Sequence, residues 1–122
     1  MRAILIVDDS EIIRNILSQT LKANNYNDVL MAQDGAEALT VIKEHLGKIG
    51  MYIFDVNMPN MDGLALLAEV RKIDTTTPVI MLTTETEKEK IMHAKDLGAT
   101  GWIIKPCEGE KFIKVVDMYF KG

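Results

Sequence analysis

Three shortages narrow what this chain can be. It has a single cysteine, Cys107, so no internal disulfide is possible, which is compatible with a reducing compartment. It has no surplus of basic residues: 14 Lys and Arg stand against 18 Asp and Glu, a net charge of -4. A protein that holds nucleic acid through its phosphates needs a basic face, and adsorption to anionic lipid needs basic clusters. Neither nucleic acid nor membrane is therefore expected as a partner. Long apolar runs are also missing. The run after Met1 is too short for a signal-peptide core and meets Asp8 and Asp9 at once. No stretch approaches the length of a membrane span. There is no linker, internal repeat or low-complexity tract. These absences lead us to expect a soluble cytoplasmic protein of 122 residues in one domain, residues 1–122, with room for a core but not for a second domain. A chain of this size buries roughly two-thirds of its unfolded surface.

What is present is a regular alternation. Five short apolar runs recur: AILIV (3–7), VLMA (29–32), MYIF (51–54), VIML (79–82) and WII (102–104). They alternate little between apolar and polar, as parallel strands covered on both faces do. Between them lie segments with helical spacing. The stripes are Ile12, Ile13, Ile16, Leu17 and Leu21; then Ala36, Leu39, Ile42 and Leu46; then Leu66, Leu67, Val70 and Ile73. A fourth stripe, Ile91, Ala94 and Leu97, opens with a capping-box pattern at Thr86-Glu87-Lys88-Glu89. Phe112, Val115, Val116 and Tyr119 form the last. Strand and helix alternating five times predicts an α/β fold: a parallel sheet with right-handed crossovers and helices on both faces.

In such a sheet all strands end on one edge, and chemistry collects there. The first strand ends in Asp8-Asp9, the third in Asp55, the fourth in Thr83-Thr84 and the fifth in Lys105-Pro106. Each has an ordinary explanation when taken alone. Acids favour helix starts, threonine suits strands, and lysine is commonly a solvated charge. Together they place three carboxylates, a hydroxyl and an ammonium on one rim. Crowded carboxylates need a proton or a cation. An all-oxygen site with few protein ligands suits Mg²⁺, which keeps waters and takes one or two carboxylates plus phosphate oxygens. A carboxylate can attack phosphorus to give an aspartyl phosphate, while a metal and a lysine stabilise the transferring oxygens.

On LIVDDS (5–10), QDGAEAL (33–39), FDVNMPNMDG (54–63), PVIMLTTE (78–85) and GATGWIIKP (98–106), the chain resembles the receiver domains of bacterial two-component response regulators. The resemblance runs over its whole length. Within that family it is most similar to the single-domain chemotaxis regulators of the CheY type, with no output domain. The resemblance implies the flavodoxin-like (βα)5 fold, strand order 2-1-3-4-5. It also implies roles. Asp55 is the phosphoacceptor. Asp9 binds Mg²⁺ directly, Asp8 acts largely through water, and Asn57 offers its backbone carbonyl. Thr83 is the switch hydroxyl, and Lys105, with a cis bond to Pro106, pairs with the phosphoryl group. Asn57 and Glu85, two residues past Asp55 and Thr83, tune hydrolysis. Trp102 stands where most members carry Tyr or Phe as the rotating aromatic, and Cys107 where Phe is common.

The implied partners are a chemotaxis-type sensor histidine kinase or a histidine phosphotransfer protein, and a target such as the flagellar motor switch. The target would be bound by the face made of the fourth helix, fifth strand and fifth helix. The implied state is a monomer that is no enzyme beyond phosphorylating and dephosphorylating itself. His45 and His93 fall in predicted helices, without a phosphotransfer setting, and are read as surface residues. One alternative is a stand-alone phosphorelay receiver outside chemotaxis. Another is an Asp-nucleophile phosphatase of the haloacid dehalogenase type, but Asn57 occupies the position where such enzymes need a second acid. A flavin module would need a glycine- or hydroxyl-rich phosphate loop where Asp8-Asp9 stands. An unphosphorylated scaffold would not need the set Asp9, Asp55, Thr83 and Lys105.

Overall fold

The computed structural model describes residues 2–59, 61–84, 88–105 and 109–122. Five strands and five helices alternate: β1 (Ala3–Val7), α1 (Glu11–Ala23), β2 (Val29–Ala32), α2 (Gly35–Glu44), β3 (Ile49–Asp55), α3 (Gly63–Arg71), β4 (Val79–Thr83), α4 (Lys88–Leu97), β5 (Gly101–Ile104) and α5 (Gly109–Tyr119). The strands form one parallel sheet in the order β2-β1-β3-β4-β5. The alternation predicted the parallel sheet, and the strand order is the flavodoxin-like one that the resemblance implied. Residues 106–108, and with them the Lys105–Pro106 bond and Cys107, lie outside the described residues, as do Glu85 and the Thr86-Glu87 start of the capping box.

The central strands are apolar throughout because both sheet faces are covered. On one face Leu5, Val7, Tyr52, Phe54, Val79 and Met81 pack with residues of α2, α3 and α4. On the other, Ile4, Ile6, Ile53, Ile80, Leu82 and Ile103 pack against Leu17 and Leu21 of α1 and Phe112 and Val116 of α5. β3 runs further than its apolar stretch and ends on Asp55 itself. No helix among the described residues is long and apolar enough to cross a membrane.

The helical stripes are displaced from the simple reading in three places, one of them Ile73, which lies past the end of α3 and is 44% exposed. In α1, Leu17 and Leu21 are buried, but Ile12 and Ile16 are 71% and 50% exposed, and Ser18 takes an interior place. In α2 the inward residues are Ala38 and Ile42, while Ala36 is exposed and Leu46 lies past the helix end, half exposed. Both helices carry more apolar residues than the narrow face touching the sheet can accept. His45 also departs from the expected surface position. It is the C-cap of α2, half-buried, with its Nδ1 2.8 Å from the Val41 carbonyl.

The edge of the sheet opposite the aspartates is tied by Asp74, which follows α3. Its carboxylate accepts from the Tyr52 hydroxyl at 2.8 Å, the Thr77 hydroxyl at 2.6 Å and the Thr77 backbone N–H at 3.1 Å. The Thr76 N–H adds a fourth bond at 3.2 Å. Arg71 closes the same corner by donating to the carbonyls of Asp74, Thr77 and Gly98. Burial pushes the Asp74 carboxyl upward, but the bonds from Thr77, Tyr52 and Thr76 outweigh it and hold it below its ordinary value. A lowered carboxyl contributes stability above its unfolded pKa and loses it as pH falls through the folded one. Asp74→Ala should therefore destabilise the fold by about 1–3 kcal/mol at neutral pH, the cost of leaving buried donors unpaired. Urea unfolding should show the gap between wild type and variant closing below a pH of about 4; a gap independent of pH would contradict the assignment.

Candidate functional site

The site is built at the ends of β1, β3, β4 and β5. Ser10 is the N-cap of α1 and accepts from the Ile13 N–H, which halts β1 and turns the chain just past the two aspartates. The Ser10 N–H in turn donates to Asp8 Oδ1 at 2.9 Å, and Arg14 reaches back from α1 to the Asp8 carbonyl at 2.6 Å. Asp8 is thereby drawn inward, to 1% exposure, while its neighbour Asp9 faces solvent. Asp55 is 3% exposed, and its Oδ1 accepts from the Asn57 N–H at 3.2 Å. Gly63 starts α3 directly beneath this loop. Its N–H donates to the Val56 carbonyl, and a Cβ there would fall on the Asp55 carbonyl oxygen, so glycine at 63 is a steric requirement of the loop after Asp55.

One ammonium joins the two buried acids. Lys105 Nζ lies 3.0 Å from Asp55 Oδ2 and 3.6 Å from Asp8 Oδ2. The backbone N–H of Lys105 donates to the Thr83 carbonyl, which ties the end of β5 to the end of β4. Thr83 is buried, one residue past the Leu82 that pairs with Asp55, and its hydroxyl donates to the Thr84 carbonyl at 3.2 Å.

Among the described residues the buried part of the site holds two carboxylates, Asp8 and Asp55, and one ammonium, Lys105. Two observations go with this arrangement. Among the described residues the fully buried Asp8 Oδ2 has no hydrogen-bond partner, only the longer ion pair to Lys105. The Asp55 carboxyl is pushed up to about 6, first by burial and then by the charge of Asp8, against the opposing hydrogen bond and charge of Lys105 and the Asn57 N–H. Asp8, Asp9 and Asp55 each offer a carboxylate oxygen, all within 4.8 Å of one another. An all-oxygen set with an orphaned buried oxygen fits a hard divalent cation that brings its own waters.

The structure therefore brings together Asp8, Asp9, Asp55, Lys105, Thr83 and the Asn57 backbone. Trp102 stands apart, near the free edge of the sheet. It pairs with Met81 across the β4–β5 register and is 40% exposed. Lys95 of α4 lies 5.5 Å from the centre of its ring, and the groove beside it is lined by Val115, Met118 and Tyr119 of α5. The alternation with buried Ile103 is as read from the sequence. His93 is exposed on α4. Two contributors were missed: Arg14, which fixes the Asp8 backbone, and Lys90, whose ammonium donates to Asn57 Oδ1 at 3.2 Å. Both are long cations on helices, whose reach across loops no local sequence signal reveals.

With this geometry in place, comparison with known proteins is direct. Residues 4–117 match the response regulator receiver domain model. The chain is 31% identical over 114 residues to the chemotaxis protein CheY of Bacillus subtilis, covering 93% of each chain. It is 34% identical over 120 residues to CheY-3 of Vibrio cholerae, covering 97% of this chain and 91% of that one. The solved structure of CheY4 of Vibrio cholerae superposes with a TM-score of 0.90 at 40% identity, covering 98% and 99% of the two chains. The protein belongs to the response regulator receiver family.

The raised Asp55 carboxyl has a consequence for stability. A group whose folded pKa exceeds its unfolded value near 4 stabilises the fold at low pH, and that contribution is lost as pH rises through about 6. Above pH 7 without metal, ionised Asp55 then costs about 3 kcal/mol. Asp55→Asn should recover about 2–3 kcal/mol in metal-free protein at pH 7.5, on the order of that same cost. It should also flatten the stability profile between pH 4 and 6, as measured by urea unfolding in EDTA. A variant no more stable than wild type would show that Asp55 is not strained when ionised.

Proposed function

We propose that this protein is a phosphorylation-activated receiver that takes a phosphoryl group on Asp55. The observation carrying the reading is the Lys105 ammonium, held 3.0 Å from Asp55 Oδ2 and shared with the buried Asp8. It stands where charge develops when Asp55 attacks phosphorus. The carboxylate of Asp55 is the nucleophile. Asp9, Asp55 and the Asn57 carbonyl would hold Mg²⁺, with Asp8 beside them. The chemistry it would supply there is positive charge to offset the carboxylates and the phosphoryl oxygens. Thr83 turns its hydroxyl from the Thr84 carbonyl to a phosphoryl oxygen. The protein acts on itself and has no turnover substrate.

The phosphoryl donor is the phosphohistidine of a sensor kinase or of a histidine phosphotransfer protein. The output is the face formed by α4, β5 and α5. It carries the half-exposed Trp102 and the exposed Met92, Ile104 and Met118, apolar side chains of the kind partner surfaces use. The similarity to three chemotaxis proteins supports a role in chemotaxis; the proposed place of action is the cytoplasm and the proposed target a component of the flagellar motor switch. A phosphorelay outside chemotaxis uses the same chemistry and is told apart by which protein is captured by the activated chain. The phosphatase alternative has no support in the site, because Asn57 presents an amide and is engaged by Lys90.

Two outcomes test this reading. Exposed to acetyl phosphate with Mg²⁺, the wild type should gain one phosphoryl adduct in intact-mass spectra, and Asp55→Asn and Asp9→Ala should gain none; full labelling of Asp55→Asn would move the acceptor elsewhere. Trp102 is the sole tryptophan, so emission reports one place. Beryllofluoride with Mg²⁺ should change its intensity or wavelength, and Thr83→Ala should blunt the change. An unchanged spectrum at demonstrated saturation would show that the signal does not reach β5.

A further inference from the structure

Asn57 is held at both ends of its short reach. Its backbone N–H donates to Asp55 Oδ1 at 3.2 Å, and its side-chain Oδ1 accepts from Lys90 Nζ at 3.2 Å. Lys90 belongs to α4, 33 residues away in sequence, so the bond ties the phosphoacceptor loop to a helix of the output face. An ammonium has donors and no acceptor. It can engage only the carbonyl oxygen of the amide, which fixes the orientation: Oδ1 toward Lys90, Nδ2 turned away.

That orientation matters for how long a phosphoryl group would survive on Asp55. Hydrolysis requires water to approach phosphorus in line with the Asp55 oxygen. The water oxygen forms the new P–O bond, the P–O bond to Asp55 breaks, and its electron pair stays with the carboxylate. Both hydrogens of the water leave with the dihydrogen phosphate. An acceptor next to the approaching water favours attack by orienting its hydrogens. The Asn57 side chain, exposed and two residues from Asp55, has one such acceptor, its Oδ1. In this structure Lys90 occupies it with a charge-assisted bond. We propose that Lys90 is a positioning residue that slows autodephosphorylation by holding the Asn57 carbonyl oxygen away from the attacking water. Displacement of α4 on partner binding would break the bond and return the acceptor to the site, so the lifetime of the signal would depend on what is docked on α4.

The inference rests on Asp55 being phosphorylated, and its test keeps the two apart. Wild type, Lys90→Met, Lys90→Arg, Asn57→Ala and the double variant Lys90→Met/Asn57→Ala are labelled with acetyl phosphate and Mg²⁺. The donor is then removed and the decay of the adduct followed by intact mass. Asn57→Ala keeps the backbone carbonyl. Loss of the bond in Lys90→Met should speed decay about tenfold, the scale of one charge-assisted hydrogen bond. Lys90→Arg, which keeps a cationic donor, should decay close to the wild-type rate. In the Asn57→Ala background, Lys90→Met should change nothing, a pattern that general loosening of α4 would not produce. An unchanged or slower decay in Lys90→Met, or an equal acceleration with and without Asn57, would overturn the role. Absence of any adduct on wild type would overturn the phosphoacceptor reading itself, and the inference with it.

Discussion

Everything at the rim of the sheet follows from two buried carboxylates sharing one ammonium. Asp8 and Asp55 are both almost wholly removed from water, and Lys105 spans them. Removing the ammonium would strand two like charges in a poorly solvated place, which is costly by several kcal/mol. Yet one lysine does not balance two acids. Asp8 Oδ2 has only the 3.6 Å ion pair to Lys105 and no hydrogen bond among the described residues, and burial together with the Asp8 charge raises the Asp55 carboxyl to about 6. A site left with a surplus of negative charge attracts a cation, and once the cation is present the same place can accept an anion.

The fold's part is to hold this imbalance still. The apolar strands on both sheet faces give β1 and β3 no freedom to separate, and Asp55 is the last residue of β3 rather than the first of a loop. Ser10 and Arg14 pin Asp8 from α1. Gly63 lets α3 begin against the Asp55 backbone, where any Cβ would collide. Thr83, Lys105 and Trp102 lie on the neighbouring strands β4 and β5 or directly after them. A change of charge at Asp55 therefore meets β4 and β5 before it meets solvent. The surface they share with α4 and α5 carries the exposed Met92, Met118 and Trp102.

Much of this was legible in the sequence, for a definite reason. Parallel strands covered on both sides are short uninterrupted apolar runs, so all five were located, with β3 extended at both ends by Ile49, Gly50 and Asp55. Strand ends bearing Asp, Thr and Lys mark the rim, which is why Asp8, Asp55, Thr83 and Lys105 were found together. Helix faces were read less well. Ile12, Ile16, Ala36 and Leu46 satisfy a 3.6-residue period but point away from the core, because periodicity gives a direction only to within a residue or so. The different burial of Asp8 and Asp9 was expected only as a difference of role, and its cause is the Ser10 turn. Arg14 and Lys90 were invisible because their contacts depend on where two helices lie relative to loops distant in sequence.

The central claim is that burial, reinforced by the neighbouring charge of Asp8, raises the Asp55 carboxyl above its ordinary value, and that a bound cation would lower it. The most direct measurement is the pH titration of the Asp55 side-chain carboxyl by carbon NMR, with and without Mg²⁺. The account predicts a midpoint near 6 in metal-free protein, moving well down at saturating Mg²⁺. A midpoint at the ordinary aspartate value of about 4 that is indifferent to Mg²⁺ would contradict it.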